Sequence, residues 1–135
     1  MNVQPLILFS LSALGGLIAI RYCRKPTHVN KDMSLDELAA IYKTDGRLLI
    51  GCKGKIFDVS ENEMYGPNGG YHLFVGKDAS VALGKMQFNP EFLDPKQLHW
   101  SKDLNKEELK ILDDWETKFI GKYKIVGRIL EDLKN

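Results

Sequence analysis

The stretch Met64-Tyr65-Gly66-Pro67-Asn68-Gly69-Gly70-Tyr71-His72-Leu73-Phe74-Val75-Gly76-Lys77-Asp78-Ala79-Ser80 decides how this chain is read. Its four glycines and one proline make most of it loop. Tyr65 and Tyr71 flank the turn Gly66-Pro67-Asn68-Gly69-Gly70. A loop that only has to turn needs no phenol at each end, and glycine-rich backbone lets a flat ligand come close. Asp78-Ala79-Ser80 then offers a helix N-cap. The stretch therefore reads as a ligand-binding loop whose tyrosines face the ligand.

The flanking segments supply a scaffold. Ser34 with Glu37 three residues on is a capping box, and Leu35, Leu38, Ala39 and Tyr42 recur at helical spacing, so a helix is expected over residues 34–42. Gly46 ends it or begins the next turn. Residues 47–50 and 55–59 read as strands of a hairpin about Cys52-Lys53-Gly54. A short helix is expected over 78–86, broken by Asn89-Pro90, and 92–101 reads as loop or irregular turns. Asn105 and Glu108 cap a helix over 106–120, with Leu109, Leu112, Trp115 and Phe119 on one face and Gly121 as its closing glycine. Residues 123–130 form the last strand. This is an α+β pattern: a small sheet, with helices framing a pocket.

At 135 residues the chain is one small domain plus an appendage, and its net charge of +1 gives no field that favours nucleic acid. Cys23 and Cys52 form no Cys-x-x-Cys pair, which leaves zinc-ribbon and dithiol chemistry without support. Residues 3–22 carry no charge before Arg21, and Arg21, Arg24, Lys25 and Lys31 follow. A helix over residues 4–22 is long enough to span a bilayer, and the trailing positive charge places the globular part in the cytosol. Without a basic n-region the segment reads as a retained anchor rather than a cleaved signal. The expected organisation is an anchor over 1–24, a linker over 25–33 and a domain over 34–135.

Several blocks in one order resemble the membrane-associated progesterone receptor component family, a branch of the cytochrome b5-like haem/steroid-binding domains. They are Gly54-Lys55-Ile56-Phe57-Asp58-Val59, the tyrosine loop through Asp78-Ala79-Ser80, Asp114-Trp115-Glu116, Lys122-Tyr123 and Val126-Gly127. The resemblance covers roughly residues 34 to 130. It implies a cytochrome b5-like fold carrying an N-terminal transmembrane helix. It also implies ferric, five-coordinate haem b with Tyr71 as the axial ligand, bound as a phenolate whose charge the iron offsets. Tyr65 then corresponds to the tyrosine that hydrogen-bonds the ligand, and Lys122 and Tyr123 to the pair that contacts haem. The bis-histidine motif His-Pro-Gly-Gly of ordinary cytochrome b5 is absent, and a hard anionic oxygen favours ferric iron. Met64 stands where relatives often carry Phe. Gly70 stands where many carry Pro, which loosens the turn before the ligand.

Two other residues compete for the iron. His72 adjoins Tyr71, but neighbours in an extended segment point oppositely, and His99 with His72 would make a bis-histidine site. Taken alone, Lys122 is a helix C-terminal cation and Tyr123 a strand residue. No nucleophile–base pair or Rossmann motif is present, so a binding role is expected rather than an enzyme. The leading function is a membrane-anchored haem-binding protein that supports haem-thiolate monooxygenases of sterol metabolism or delivers haem. A structural or assembly subunit of a larger membrane complex, with an empty or degenerate pocket, is the alternative, and a b5-type electron carrier is a third reading. The implied partners are the membrane, such haem proteins and a haem-stacked second copy. The implied place is the endoplasmic reticulum membrane, single-pass, or alternatively a mitochondrial one.

Overall fold

The computed structural model describes residues 30–134. Helix α1 (Leu35–Asp45) starts as its capping box requires: the Ser34 hydroxyl accepts from the Glu37 amide, and Glu37 reaches back to the Ser34 amide. It runs past Tyr42 and stops at Gly46, whose left-handed φ of 77° lets its N–H return to the Tyr42 carbonyl. Strands β1 (Leu49–Cys52) and β2 (Lys55–Asp58) then pair antiparallel, with Cys52 opposite Lys55. Lys53 and Gly54 both take positive φ, as a two-residue primed turn demands. β1 lies two residues further on than the sequence pattern places it. Its edge is set by the segment after the tyrosine loop: Gly76 N–H bonds the Leu49 carbonyl, Gly51 N–H bonds the Lys77 carbonyl, and Ala79 N–H bonds the Gly51 carbonyl.

Helix α2 (Ser80–Lys85) is shorter than expected. It ends at Met86, in the left-handed region, before Asn89-Pro90 is reached. The 92–101 stretch holds a 3₁₀ turn (Pro90–Leu93) at its start and leads into a short helix, α3 (Trp100–Asp103). Helix α4 (Lys106–Lys122) begins at the Asn105–Glu108 capping box but passes through Gly121 instead of ending there. Its terminus is Tyr123, which is extended and bonds the Phe119 carbonyl, because strand β3 (Lys124–Arg128) follows at once.

The sheet order is β1-β2-β3, all antiparallel, with a bulge between Ile56 and Phe57. Alternate residues point to opposite faces, and both faces are covered. Ile50, Phe57 and Val59 pack with α2 and α4 residues such as Leu83, Leu112 and Phe119, and Leu49, Ile56 and Val126 pack with Met33 and Leu38. Lys31 to Met33, expected in the linker, run along β3: Lys31 N–H bonds the Val126 carbonyl and Met33 N–H bonds the Arg128 carbonyl. Gly127 permits this, since a Cβ there would meet the Lys31 carbonyl.

The expectation of a transmembrane helix is corrected. The segment assigned to it, residues 4–22, lies outside the described residues, as does His28. Among the described residues no helix is long and apolar enough to cross a membrane. The longest, α4, has 17 residues and is charged along its length, from Lys106 to Lys122. At about 26 Å it is also shorter than a hydrocarbon core of about 30 Å. The fold of the described residues is therefore α+β with no spanning helix among them. The anchor to a membrane, and the single-pass endoplasmic reticulum or mitochondrial placement with a cytosolic domain, find no support among the described residues.

Candidate functional site

The tyrosine loop is two 3₁₀ turns, Glu63–Tyr65 and His72–Phe74, joined by the glycine turn. Asn62 caps the first by accepting from the Met64 amide. The loop is tied shut where Gly70 was expected to loosen it: Tyr71 N–H bonds the Met64 carbonyl at 2.8 Å, and Gly69 N–H bonds the Gly66 carbonyl at 2.9 Å. The position that requires glycine is Gly69, where a Cβ would collide with the Met64 backbone, whereas at Gly70 the nearest atom is Met64 Cε at 3.5 Å. Gly69→Ala is expected to cost ~1–3 kcal/mol by overpacking and Gly70→Ala less than about 0.5 kcal/mol. Urea unfolding of both variants checks this, and equal losses would contradict it.

This loop brings Tyr65 and Tyr71 together with the α4–β3 junction. The Tyr65 ring centroid lies 5.6 Å from Tyr71 and 6.3 Å from Tyr123, edge-on to the latter. Tyr71 stacks on Phe74 and meets Phe88 edge-on. Tyr123 accepts from Asn62 Nδ2 at 2.7 Å, and the exposed Lys122 places its ammonium 5.5 Å from the Tyr123 ring. Asn62 and Phe88 escaped the sequence reading. Asn62 could have been noticed as a turn-capping residue just before the loop, but its second bond, to a residue 61 positions away, has no local signal.

The phenols differ. Tyr65 is buried, and desolvation, with Tyr123 and Tyr71 nearby, pushes its hydroxyl well above the ordinary phenol range. It therefore stays a neutral hydrogen-bond donor. Tyr71 is half-buried. Neither the Tyr65 nor the Tyr71 hydroxyl is hydrogen-bonded among the described residues, and no buried side-chain polar atom there lacks a partner. Each hydroxyl oxygen therefore keeps some solvent access, slight at Tyr65, which is 5% exposed. An oxygen donor beside a neutral phenol, aromatic walls and a lysine at the rim suit a flat, partly anionic ligand laid on an open face. The site is not a closed pocket, and neither of the two principal cavities is lined by any of these four residues.

The histidine rivals are committed elsewhere. His72 Nδ1 bonds the Tyr65 carbonyl at 2.8 Å, and its ring sits edge-on to Tyr42. His99 bonds Asp132 through Nε2 at 3.0 Å, within a separate group that also contains Asp78. The two imidazoles share no partner. Cys52 is buried in the core, and burial, with Asp78 and Glu116 near it, raises its thiol far above the ordinary range, so it is inert.

No protein-family model matches the chain. It is 44% identical over 84 residues to "Probable steroid-binding protein 3" of Arabidopsis thaliana, covering 62% of this chain and 80% of that one. It is 39% identical over 87 residues to "Cytochrome P450 regulator dap1" of Schizosaccharomyces pombe, covering 62% of this chain and 52% of that one. It is 35% identical over 111 residues to "Membrane-associated progesterone receptor component 2" of Rattus norvegicus, covering 78% of this chain and 49% of that one. The chain thus spans about half the length of the latter two. A solved Arabidopsis thaliana protein described as having a cytochrome b5-like fold matches with a TM-score of 0.62 and 39% identity, over 76% of this chain and 93% of that one.

Proposed function

Because the chain belongs to the membrane-associated progesterone receptor component family of cytochrome b5-like steroid-binding domains, we propose that it holds haem on the tyrosine face, with Tyr71 as the single protein ligand. The observation that carries this reading is the convergence of Tyr65, Tyr71 and Tyr123, with the Tyr65 and Tyr71 hydroxyls free of hydrogen bonds among the described residues. When bound, haem supplies an electrophilic iron that a hard phenol oxygen can ligate. The chain's own residues divide the work. Tyr71 offers that oxygen from a ring wedged between Phe74 and Phe88. Tyr65, held neutral, keeps a hydroxyl that could donate a hydrogen bond toward that oxygen once the ligand is bound. Tyr123 is held in place by Asn62, and Lys122 presents a cation to an anionic ligand edge.

The role this supports is service to other haem proteins rather than catalysis, in line with the name of the Schizosaccharomyces pombe relative. Steroid binding, which other relatives' names carry, rests on no residue here beyond the same aromatic face. The absence of either principal cavity at the tyrosines favours a second reading, a structural subunit that takes up no haem. An absorption spectrum of the natively purified protein separates the two. A Soret band with phenolate-to-iron charge-transfer absorption is expected, and protein that never takes up haem, even when it is supplied, overturns the first reading in favour of the second.

A further inference from the structure

A cavity of about 450 Å³ shares no lining residue with the tyrosine face. Its walls include Leu35, Val81, Phe92 and Leu98, and its polar end carries Asp78, His99 and Asp132. One ligand atom from each of these three lies within 4.8 Å of the other two. We propose that Asp78, His99 and Asp132 form a site for a divalent cation of the zinc type, with its open coordination position facing the cavity.

Three separate parts of the fold deliver these side chains. Asp78 sits in the segment bridged to β1 at Gly51, His99 caps α3, and Asp132 lies in the C-terminal 3₁₀ turn (Leu130–Lys134). Each is oriented by a donor outside the trio. The Ser80 amide (3.0 Å) and hydroxyl (2.5 Å) both donate to Asp78 Oδ1. His99 Nδ1 faces the Ser101 amide at 3.1 Å and the Ser101 hydroxyl at 2.7 Å, and Nε2 faces Asp132 Oδ1 at 3.0 Å. Trp100 Nε1 donates to Asp132 Oδ2 at 3.0 Å. Outer partners of this kind set the tautomer and aim of metal ligands.

What remains points into the cavity. Among the described residues nothing donates to Asp78 Oδ2, and Asp78 lines the cavity. Two carboxylates thus face one imidazole. The other acids of the lining are already used. Glu131 accepts from the Leu35 amide and Asp94 from the Lys96 amide. One nitrogen and two carboxylate donors suit zinc with a fourth position left for water. Calcium would need six to eight oxygens, roughly twice what the trio offers. On binding, the cation takes Nε2 of the neutral ring, whose proton moves to Nδ1, where the Ser101 hydroxyl at 2.7 Å can accept it.

The test is calorimetric titration of the purified full chain with ZnCl₂, in which one Zn²⁺ per chain is expected. Asp78→Asn keeps the oxygen that accepts from Ser80, and so the local fold. That variant and His99→Ala are each expected to weaken Zn²⁺ binding by about 100-fold or more, since losing even a supporting partner costs about 10–100-fold. His72→Ala is expected to bind as the parent does. Circular dichroism without metal verifies folding, and if His99→Ala fails to fold, Asp78→Asn decides alone. No stoichiometric binding to the parent, or binding that survives Asp78→Asn, overturns the proposal. Loss in His72→Ala alone would place the ion on that side chain instead. None of these outcomes depends on haem uptake.

Discussion

Tyr71→Phe is expected to lower haem affinity by about 100-fold or more while leaving the unfolding midpoint nearly unchanged. The substitution keeps the ring that stacks on Phe74 and meets Phe88, and so keeps the packing. It removes only an oxygen with no hydrogen-bond partner among the described residues, so no donor or acceptor is orphaned by its loss. The affinity change follows from taking away the sole proposed protein ligand, and even loss of a supporting partner to a metal ligand costs about 10–100-fold. Tyr65→Phe removes one donor, worth ~0.5–1.5 kcal/mol net, which corresponds to about a 2- to 12-fold change in affinity. His72→Ala is the control. It breaks the bond to the Tyr65 carbonyl and the edge contact with Tyr42, and is expected to cost some stability while the charge-transfer absorption persists. Haem titrations followed at the Soret band read all three. Retention of haem by Tyr71→Phe together with its loss in His72→Ala would make histidine the ligand.

The second large effect concerns the scaffold that holds the site. Phe57→Ala is expected to destabilise the fold by ~3–5 kcal/mol. Phe57 has no exposed surface, and its ring lies 5.4 Å from Phe119. Phe119 in turn packs 5.6 Å from Tyr123 and 6.0 Å from Trp115. Truncation therefore opens a cavity between the sheet and α4 at the root of the junction that carries Tyr123. A domain of this size has ~5–15 kcal/mol in total, so the variant loses about a fifth of its stability or more. Ile125→Ala, on a half-open position of β3, is the contrast, at less than about 0.5 kcal/mol. Urea unfolding midpoints at unchanged slope measure both. A Phe57→Ala loss below about 1 kcal/mol would show that this contact does not anchor the core.

The features legible in the chain were those in which a residue acts on its near neighbours. Ser34 with Glu37 and Asn105 with Glu108 start α1 and α4 because a side chain three residues away is already within reach of the orphan amides. Lys53-Gly54 reverses the hairpin because two successive positive φ angles are a local demand. The order of the family-like blocks was sufficient to anticipate the α+β, cytochrome b5-like fold. Two tyrosines in one glycine loop, with a third beyond the long helix, marked residues that the fold brings together.

Long-range contacts decided the rest. The position of β1 depends on the segment after the tyrosine loop, which bonds along its free edge, and no property of residues 47–52 encodes that neighbour. Gly121 carries a stop signal, yet α4 passes through it, because Tyr123 must be extended to enter β3. Lys31 to Met33 read as linker and become part of the sheet because Gly127 leaves room for their backbone. Asn62 meets Tyr123, and His99 meets Asp132, only after the chain has closed on itself, across 61 and 33 positions. Capping and turn preferences are energies of a few neighbouring residues and can be read in order along the chain. A strand edge or a side-chain cluster is an energy of partners that only the folded chain brings together, so the tyrosine loop could be read from the sequence and the environment of each of its phenols could not.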